Sequence, residues 1–269
     1  NVHRQGEDRH EGEVIIEPGI LLSAAEIGVA ATVGKSKLTV RRIPRAVIIS
    51  TGDELVEVEE TPQPHQIRSS NAHTIRTTLE KWGMPADLLH LVDDPEHIKK
   101  ELQRCLQEYD AILMSGGVSK GKFDYVPEAL TALGVEKLFH RVKQRPGKPF
   151  WFGHWQEKCT IFALPGNPVS SFMCTNRYVG PWLRASLGLE PLDYDYAALD
   201  TDFHFRPDLT YFLQVRLEYA RNGLRRAIPV ERHGSGDLAN LVDADGLLEL
   251  PRGRDQFNAG ELFPLIIYR

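Results

Sequence analysis

The sequence predicts an α/β domain, a mostly parallel sheet with helices on both faces, followed by a small all-β domain. Three observations predict it. Between residues 45 and 188, short apolar runs rich in β-branched residues alternate with stretches of helical period. Beyond residue 189 no long helical pattern occurs, and Pro and Gly punctuate short apolar runs. A length of 269 residues fits roughly two domains better than one.

Taken in order, residues 1–44 read as the C-terminal part of an incomplete linker or dimerisation domain. Ser23 stands three residues before Glu26, capping-box spacing for a helix running to Thr32. Residues 37–42 read as a strand. In the second zone, 45–188, Ala46–Ser50 is a buried strand. Asn71–Trp82 is a helix with Ile75, Leu79 and Trp82 on one face, and Gly83 stops it. Leu88–Val92 is a strand. Pro95–Glu108 is a helix with Pro at its start and Ile98, Leu102, Cys105 and Leu106 on one face. Ala111–Met114 is a strand and Val126–Leu133 a helix ended by Gly134. Lys137–Val142, Pro149–Phe152 and Thr160–Ala163 are further strands, and Val169–Leu187 is a long helix. The third zone, 189–269, reads as a barrel-like β domain. Its strands are Tyr211–Glu218, Leu224–Val230, Gly246–Leu250 and Leu262–Tyr268.

Composition excludes several classes. Apolar residues are 42% and charged residues 26%, so disorder is not expected. Net charge is −5, and residues 189–269 hold the whole deficit, with 9 basic and 14 acidic side chains. No region has the basic surplus of a nucleic-acid binder. No apolar run approaches the roughly 18–20 residues of a membrane helix, and with a charged stretch after Asn1 and no apolar h-region a secretory signal is not expected. Cys105, Cys159 and Cys174 fit neither a disulfide framework nor a zinc cluster, so a cytoplasmic, reducing setting is expected.

In parallel sheets ligands sit beyond the carboxyl ends of the strands. Four loops there are rich in Gly, Pro, hydroxyls and single charges: Thr51-Gly52-Asp53-Glu54, Ser115 to Asp124, Arg145 to Pro149, and Pro165-Gly166-Asn167-Pro168. Gly lets backbone N–H groups approach an anion, and a helix N-terminus adds a favourable field. Lys120, Lys122, Arg141, Lys143, Arg145 and Lys148 fall within 29 residues. A phosphorylated or oxyanion ligand is the natural partner. Taken singly, Asp53, Glu54 and Asp124 are equally readable as helix-cap acids, the lysines as solvated charges, and Pro165–Pro168 as a tight turn. Gly116 to Lys122 follows the nucleotide P-loop for seven positions, but Phe123 stands where a magnesium-binding hydroxyl belongs.

Taken together, Ile48-Ile49-Ser50-Thr51-Gly52-Asp53-Glu54-Leu55, Ser115-Gly116-Gly117-Val118-Ser119, Phe123-Asp124-Tyr125, Arg145-Pro146-Gly147-Lys148-Pro149 and Leu164-Pro165-Gly166-Asn167-Pro168-Val169-Ser170 resemble, in order and spacing, the molybdopterin molybdenumtransferases. These are the MoeA proteins and the gephyrin E domain. Val2 to Asp8 also resembles that family's exit from its second domain. The resemblance runs through nearly the whole chain and implies an N-terminally truncated member, with a MoaB/MogA-like molybdopterin-binding domain at 45–188.

The resemblance implies molybdate insertion into adenylylated molybdopterin with release of AMP, assisted by Mg2+, in a homodimer. It implies that Asp124 and Glu54 lie near the metal and phosphates, that Lys148 faces the anionic substrate, and that Asp8 faces the partner subunit's substrate loops. Pro165 and Pro168 shape a molybdate pocket. Thr51, Gly52, Asp53, Ser115, Gly116, Gly117, Ser119, Arg145, Gly166 and Asn167 complete the binding set. Two departures stand out: Ser69 replaces a family Asp, and Arg145 stands where many members have Lys. The family's upstream segment carries a further acid, so weak binding and slow turnover are expected of these 269 residues. Two rivals are an adenylyltransferase of the MogA type, which lacks the trailing β domain, and a non-enzymatic gephyrin-like scaffold.

Overall fold

A computed structural model describes residues 6–92, 94–116, 125–191, 194–230 and 238–269. Helix α1 (Ala24–Thr32) starts at the expected capping box. Ala25 donates to Ser23 Oγ at 3.1 Å, and the Ser23 N–H donates to the Glu26 carboxylate at 2.6 Å. The strand expected over 37–42 does not form. Those residues are exposed, and among the described residues no strand pairs with them.

The α/β layer follows in chain order: β1 (Ala46–Thr51), β2 (Leu55–Val56), β3 (Ile67–Arg68), α2 (Ser70–Lys81), β4 (Ala86–Leu91), α3 (Pro95–Glu108), β5 (Ala111–Ser115), α4 (Tyr125–Ala132), β6 (Glu136–His140), β7 (Gln144–Arg145), β8 (Trp151–Trp155), β9 (Cys159–Leu164) and α5 (Pro168–Cys174). A π-helical segment (Thr175–Val179) joins α5 to α6 (Gly180–Ser186), so the expected long helix is interrupted at its middle. Six strands run in the order β4-β1-β5-β9-β8-β6. The first four are parallel, and β8 runs against both β9 and β6. The strand expected from Pro149 starts later, at Trp151, because the Phe150 N–H closes a turn on Gly147 O.

Strand residues alternate between two apolar layers, as the pleat requires. Val47, Ile49, Ile112, Met114 and Ile161 face α3 and α4, meeting Ile98, Leu102, Leu106 and Leu130. Ile48, Leu113, Phe162 and Leu164 face α2, α5 and α6, meeting Ile75, Leu79, Met173 and Leu183. Helices therefore cover both faces.

The third zone contains β10 (Asp195–Leu199), β11 (Phe203–His204), β12 (Thr210–Tyr219), β13 (Arg225–Pro229), α7 (Asn240–Asp243), β14 (Gly246–Leu250), β15 (Gln256–Phe257) and β16 (Leu262–Ile267). The expectation of an all-β zone is corrected by α7, a single helical turn that carries the chain into β14. Pairings run β10-β16-β14-β12, and β13 bonds to both β12 and β10, so the five strands close into a ring. Ala197, Leu199, Leu213, Val215, Leu248 and Phe263 fill one side. Phe212 and Leu247 point the other way and join Phe150 and Phe162 in the α/β core. Strand β7 pairs with β12, Gln144 beside Thr210 and Arg145 beside Tyr211. Arg177 of the π-helical segment donates to the Glu249 carboxylate of β14 at 3.0 Å.

Candidate active site

The turns after β1, β5 and β9 meet at the carboxyl edge of the sheet. Ser50 lies beside Ser115 in register, and Ser115 beside Leu164. Gly116 has φ +98°, a conformation that favours glycine, and a Cβ there would stand 3.3 Å from Thr51 O. A Cβ on Gly166 would stand 3.9 Å from the Gly116 Cα. Thr51, Gly116 and Gly166 thus come from separate strands to one place. Asn71, at the start of α2, ties two of the turns together. Its Nδ2 donates to Ser115 Oγ and to Gly166 O, each at 2.8 Å.

Beyond Thr51 the chain turns at Gly52, whose N–Cα–C unit is buried at φ +126°. The Glu54 carboxylate folds back directly against the side of Gly52 where a Cβ would sit. Asp53 and Glu54 are both exposed. β2 and β3 then pair, Leu55 beside Ile67, which brings Ser69 and α2 back toward the same edge.

The loop 145–149 reaches this edge because β8 runs antiparallel to β9, with Trp151 beside Ala163. Val142 donates to Lys148 O and Arg141 to Phe150 O, each at 2.9 Å. Lys148 and Arg145 are exposed while Pro146 and Gly147 are buried. The Arg145 guanidinium lies 5.9 Å from the Phe205 ring centre. Gln144 is 2% exposed and donates to Gly147 O at 3.1 Å, while Tyr178 OH donates to Gln144 Oε1. Phe150 stacks on Tyr178 at 4.5 Å. Burial raises the Tyr178 phenol and the Cys174 thiol above their ordinary values, so neither supplies an anion here.

The Pro165–Pro168 turn leads into α5. Pro165 is buried and Gly166 exposed. Asn167 caps the helix by accepting from the Ser170 N–H at 3.0 Å, and Pro168 takes the first helical position. The Ser171 hydroxyl is buried and unpartnered.

Of the residues expected in the site, the structure brings together Thr51, Gly52, Ser115, Gly116, Pro165, Gly166, Asn167 and Pro168. The Arg145–Lys148 loop shares their sheet edge. Gly117, Ser119 and Asp124 lie outside the described residues, as do Lys120 and Lys122. Asp8 is exposed on the N-terminal segment. Among the described residues no cluster of three His, Cys, Asp or Glu side chains could hold a metal. Two clefts, of about 510 and 470 Å³, lie elsewhere: one between α2, the π-helical segment and the chain's end, the other at the opposite sheet edge beside Asp110. Asn71, Gln144 and Tyr178 were given no role by the sequence. No local sequence signal marks Asn71, because its two partners lie 44 and 95 residues away.

A parallel layer with anion-suited turns, closed behind by a strand ring, defines a class. Residues 47–185 match the family model described as a probable molybdopterin binding domain, and residues 196–268 that of the MoeA C-terminal region (domain IV). A molybdopterin molybdenumtransferase of Synechocystis sp. is 43% identical over 98% of this chain and 65% of its own length. One from Staphylococcus epidermidis is 30% identical over 99% of this chain and 64% of its own. The crystal structure of a molybdopterin biosynthesis MoeA protein from Pyrococcus horikosii superposes with a TM-score of 0.81 at 27% identity, covering 98% of this chain and 64% of that one. The chain belongs to the family of the probable molybdopterin binding domain and continues into a MoeA C-terminal region, and it spans 65% or less of the length of these relatives. Among the described residues no helix is long and apolar enough to cross a membrane.

Proposed function

We propose that this chain carries the molybdate-insertion step of molybdenum cofactor synthesis. Adenylylated molybdopterin binds over the turns after β1, β5 and β9, molybdate is inserted at the dithiolene, and the phosphoanhydride is cleaved to release AMP. The observation that supports this most is the convergence of Thr51, Gly116 and Gly166 at one rim, held by Asn71. Lys148 and Arg145 neutralise phosphate, Arg145 as a bidentate fork. Negative charge grows on phosphoryl oxygens during cleavage, and fixed positive charge lowers that barrier.

Magnesium would be held by Glu54 and Asp124, and would share the phosphate charge. The Glu54 carboxylate, exposed at the rim beside Gly52, is the hard oxygen donor that ion takes. We assign Pro165 and Pro168 to the molybdate pocket and Asp8 to the rim of a partner subunit in a cytoplasmic homodimer. Residues 1–44, 45–188 and 189–269 are read as a partial dimerisation domain, the molybdopterin-binding domain and a β-barrel domain.

The test follows AMP release from adenylylated molybdopterin on addition of molybdate and magnesium. Asp124→Ala is expected to slow release by on the order of 10²–10³ with little change in melting temperature. Equal loss of rate and stability would mark Asp124 as a structural cap. Formation of adenylylated molybdopterin from ATP, with no use of molybdate, would favour an adenylyltransferase instead.

A further inference from the structure

We propose that Asn71 is a positioning residue for the reaction, a clamp that fixes the Ser115–Gly116 and Gly166 turns relative to each other before substrate arrives. The inference rests on the site reading above and adds a residue to it. Both turns are glycine-bearing, and glycine chains lose more freedom on ordering than any others. Something must hold them. Asn71 bonds to both. A carboxamide nitrogen carries two hydrogens, and here one is spent on Ser115 Oγ and the other on Gly166 O. The nitrogen is therefore saturated by protein and acts on substrate only through the turns.

The clamp also stands on a rigid base. Asn71 is half-buried on α2, whose Ala72, Ile75 and Leu79 are packed into the sheet, and Thr74 and Thr78 bond back along the same helix. Its partners lie 44 and 95 residues away in sequence. The helix thus carries the spacing of the two strand ends into the rim. This is preorganisation: ordering done in the free protein is not charged to binding.

The experiment measures AMP affinity by calorimetry on the whole 269-residue chain, with melting temperature alongside. Asn71→Ala is expected to weaken AMP binding about tenfold. Ser115→Ala is expected to weaken it too, and the double variant no further than the worse single change, because both break one clamp. Asn71→Asp supplies a pH readout. Protonated, the new carboxyl donates to Gly166 O and accepts from Ser115 Oγ; ionised, it faces a carbonyl oxygen. Its AMP affinity, relative to the unaltered chain, should fall as pH rises, while that of Asn71→Ala should not.

A lowered melting temperature with intact AMP affinity would show a merely structural residue and overturn the proposal. Strict additivity with Ser115→Ala would overturn it as well, as would Asn71→Asp tracking Asn71→Ala at every pH. Lys148→Ala separates the two levels of the argument. If Lys148→Ala weakens AMP binding and Asn71→Ala does not, the clamp fails and the site stands. If the unaltered chain does not bind AMP, the site reading falls and the clamp falls with it.

Discussion

Gly147→Ala probes how tightly the Lys148 loop is laid on the helix beneath it. Gly147 sits at φ +88°, and an added Cβ would lie 2.7 Å from Cys174 Sγ, Gln144 Nε2 and Met173 Cε. All three neighbours are buried to within 2% of full burial. Met173 can turn its methyl aside, but Cys174 is fixed on a buried helix and Gln144 is bonded at both ends of its amide. The left-handed backbone costs alanine about 1–2 kcal/mol, and overpacking adds about 1–3 kcal/mol. The sum is about 2–5 kcal/mol, or roughly 4–20 °C in a chain of this size. Gly223→Ala is the control, since it has φ +83° and nothing within 4 Å of its Cβ, so only the backbone cost applies. Thermal unfolding followed by circular dichroism compares the two variants. Equal losses would mean that no steric cost exists at position 147, and that the loop is not seated as described.

Two further outcomes are expected. The thiols of Cys105, Cys159 and Cys174 are buried, and burial pushes Cys105 up to about 11 and Cys159 up to about 12. Ellman's reagent at pH 8 should therefore label none of them in the folded chain and all three in denaturant; rapid native labelling would contradict the packing. Asp110 accepts from both terminal Arg42 guanidinium nitrogens and from the Arg45 backbone N–H, each at 2.7 Å, and the Arg42 bonds hold its carboxyl below the ordinary 3.8. A depressed carboxyl stabilises the fold above its unfolded value and loses that contribution as pH falls through the folded value. Asp110→Asn should thus lower the urea midpoint at pH 7, with the gap narrowing as pH falls below 3.8 toward the folded value; a gap that does not narrow between pH 7 and pH 3 would refute the linkage.

The α/β layer was legible because its strands are buried on both faces, so β1 and β5 read as unbroken apolar runs. Helix α3 announced itself by period, cap and Pro, and its four predicted core residues are all buried. What failed was non-local. Residues 37–42 have strand-like composition, but no strand among the described residues pairs with them. β7 has only two residues and is a strand only because Thr210 and Tyr211 lie beside it. The π-helical segment has no local signature, and its residues serve partners in the ring and the Lys148 loop. At the rim the glycine turns were visible in composition. Asn71 was not, since a lone carboxamide shows nothing until two distant turns are brought to it.

The placement of Phe212 and Leu247 makes the strand ring the back wall of the α/β layer instead of an appendage. Removing the strand ring would uncover Phe150 and Phe162, unpair β7, and take Glu249 away from Arg177. The lysine-bearing loop would lose the floor under its first two residues. Whatever shaped the tail of this chain was therefore also shaping the rim where the three turns meet.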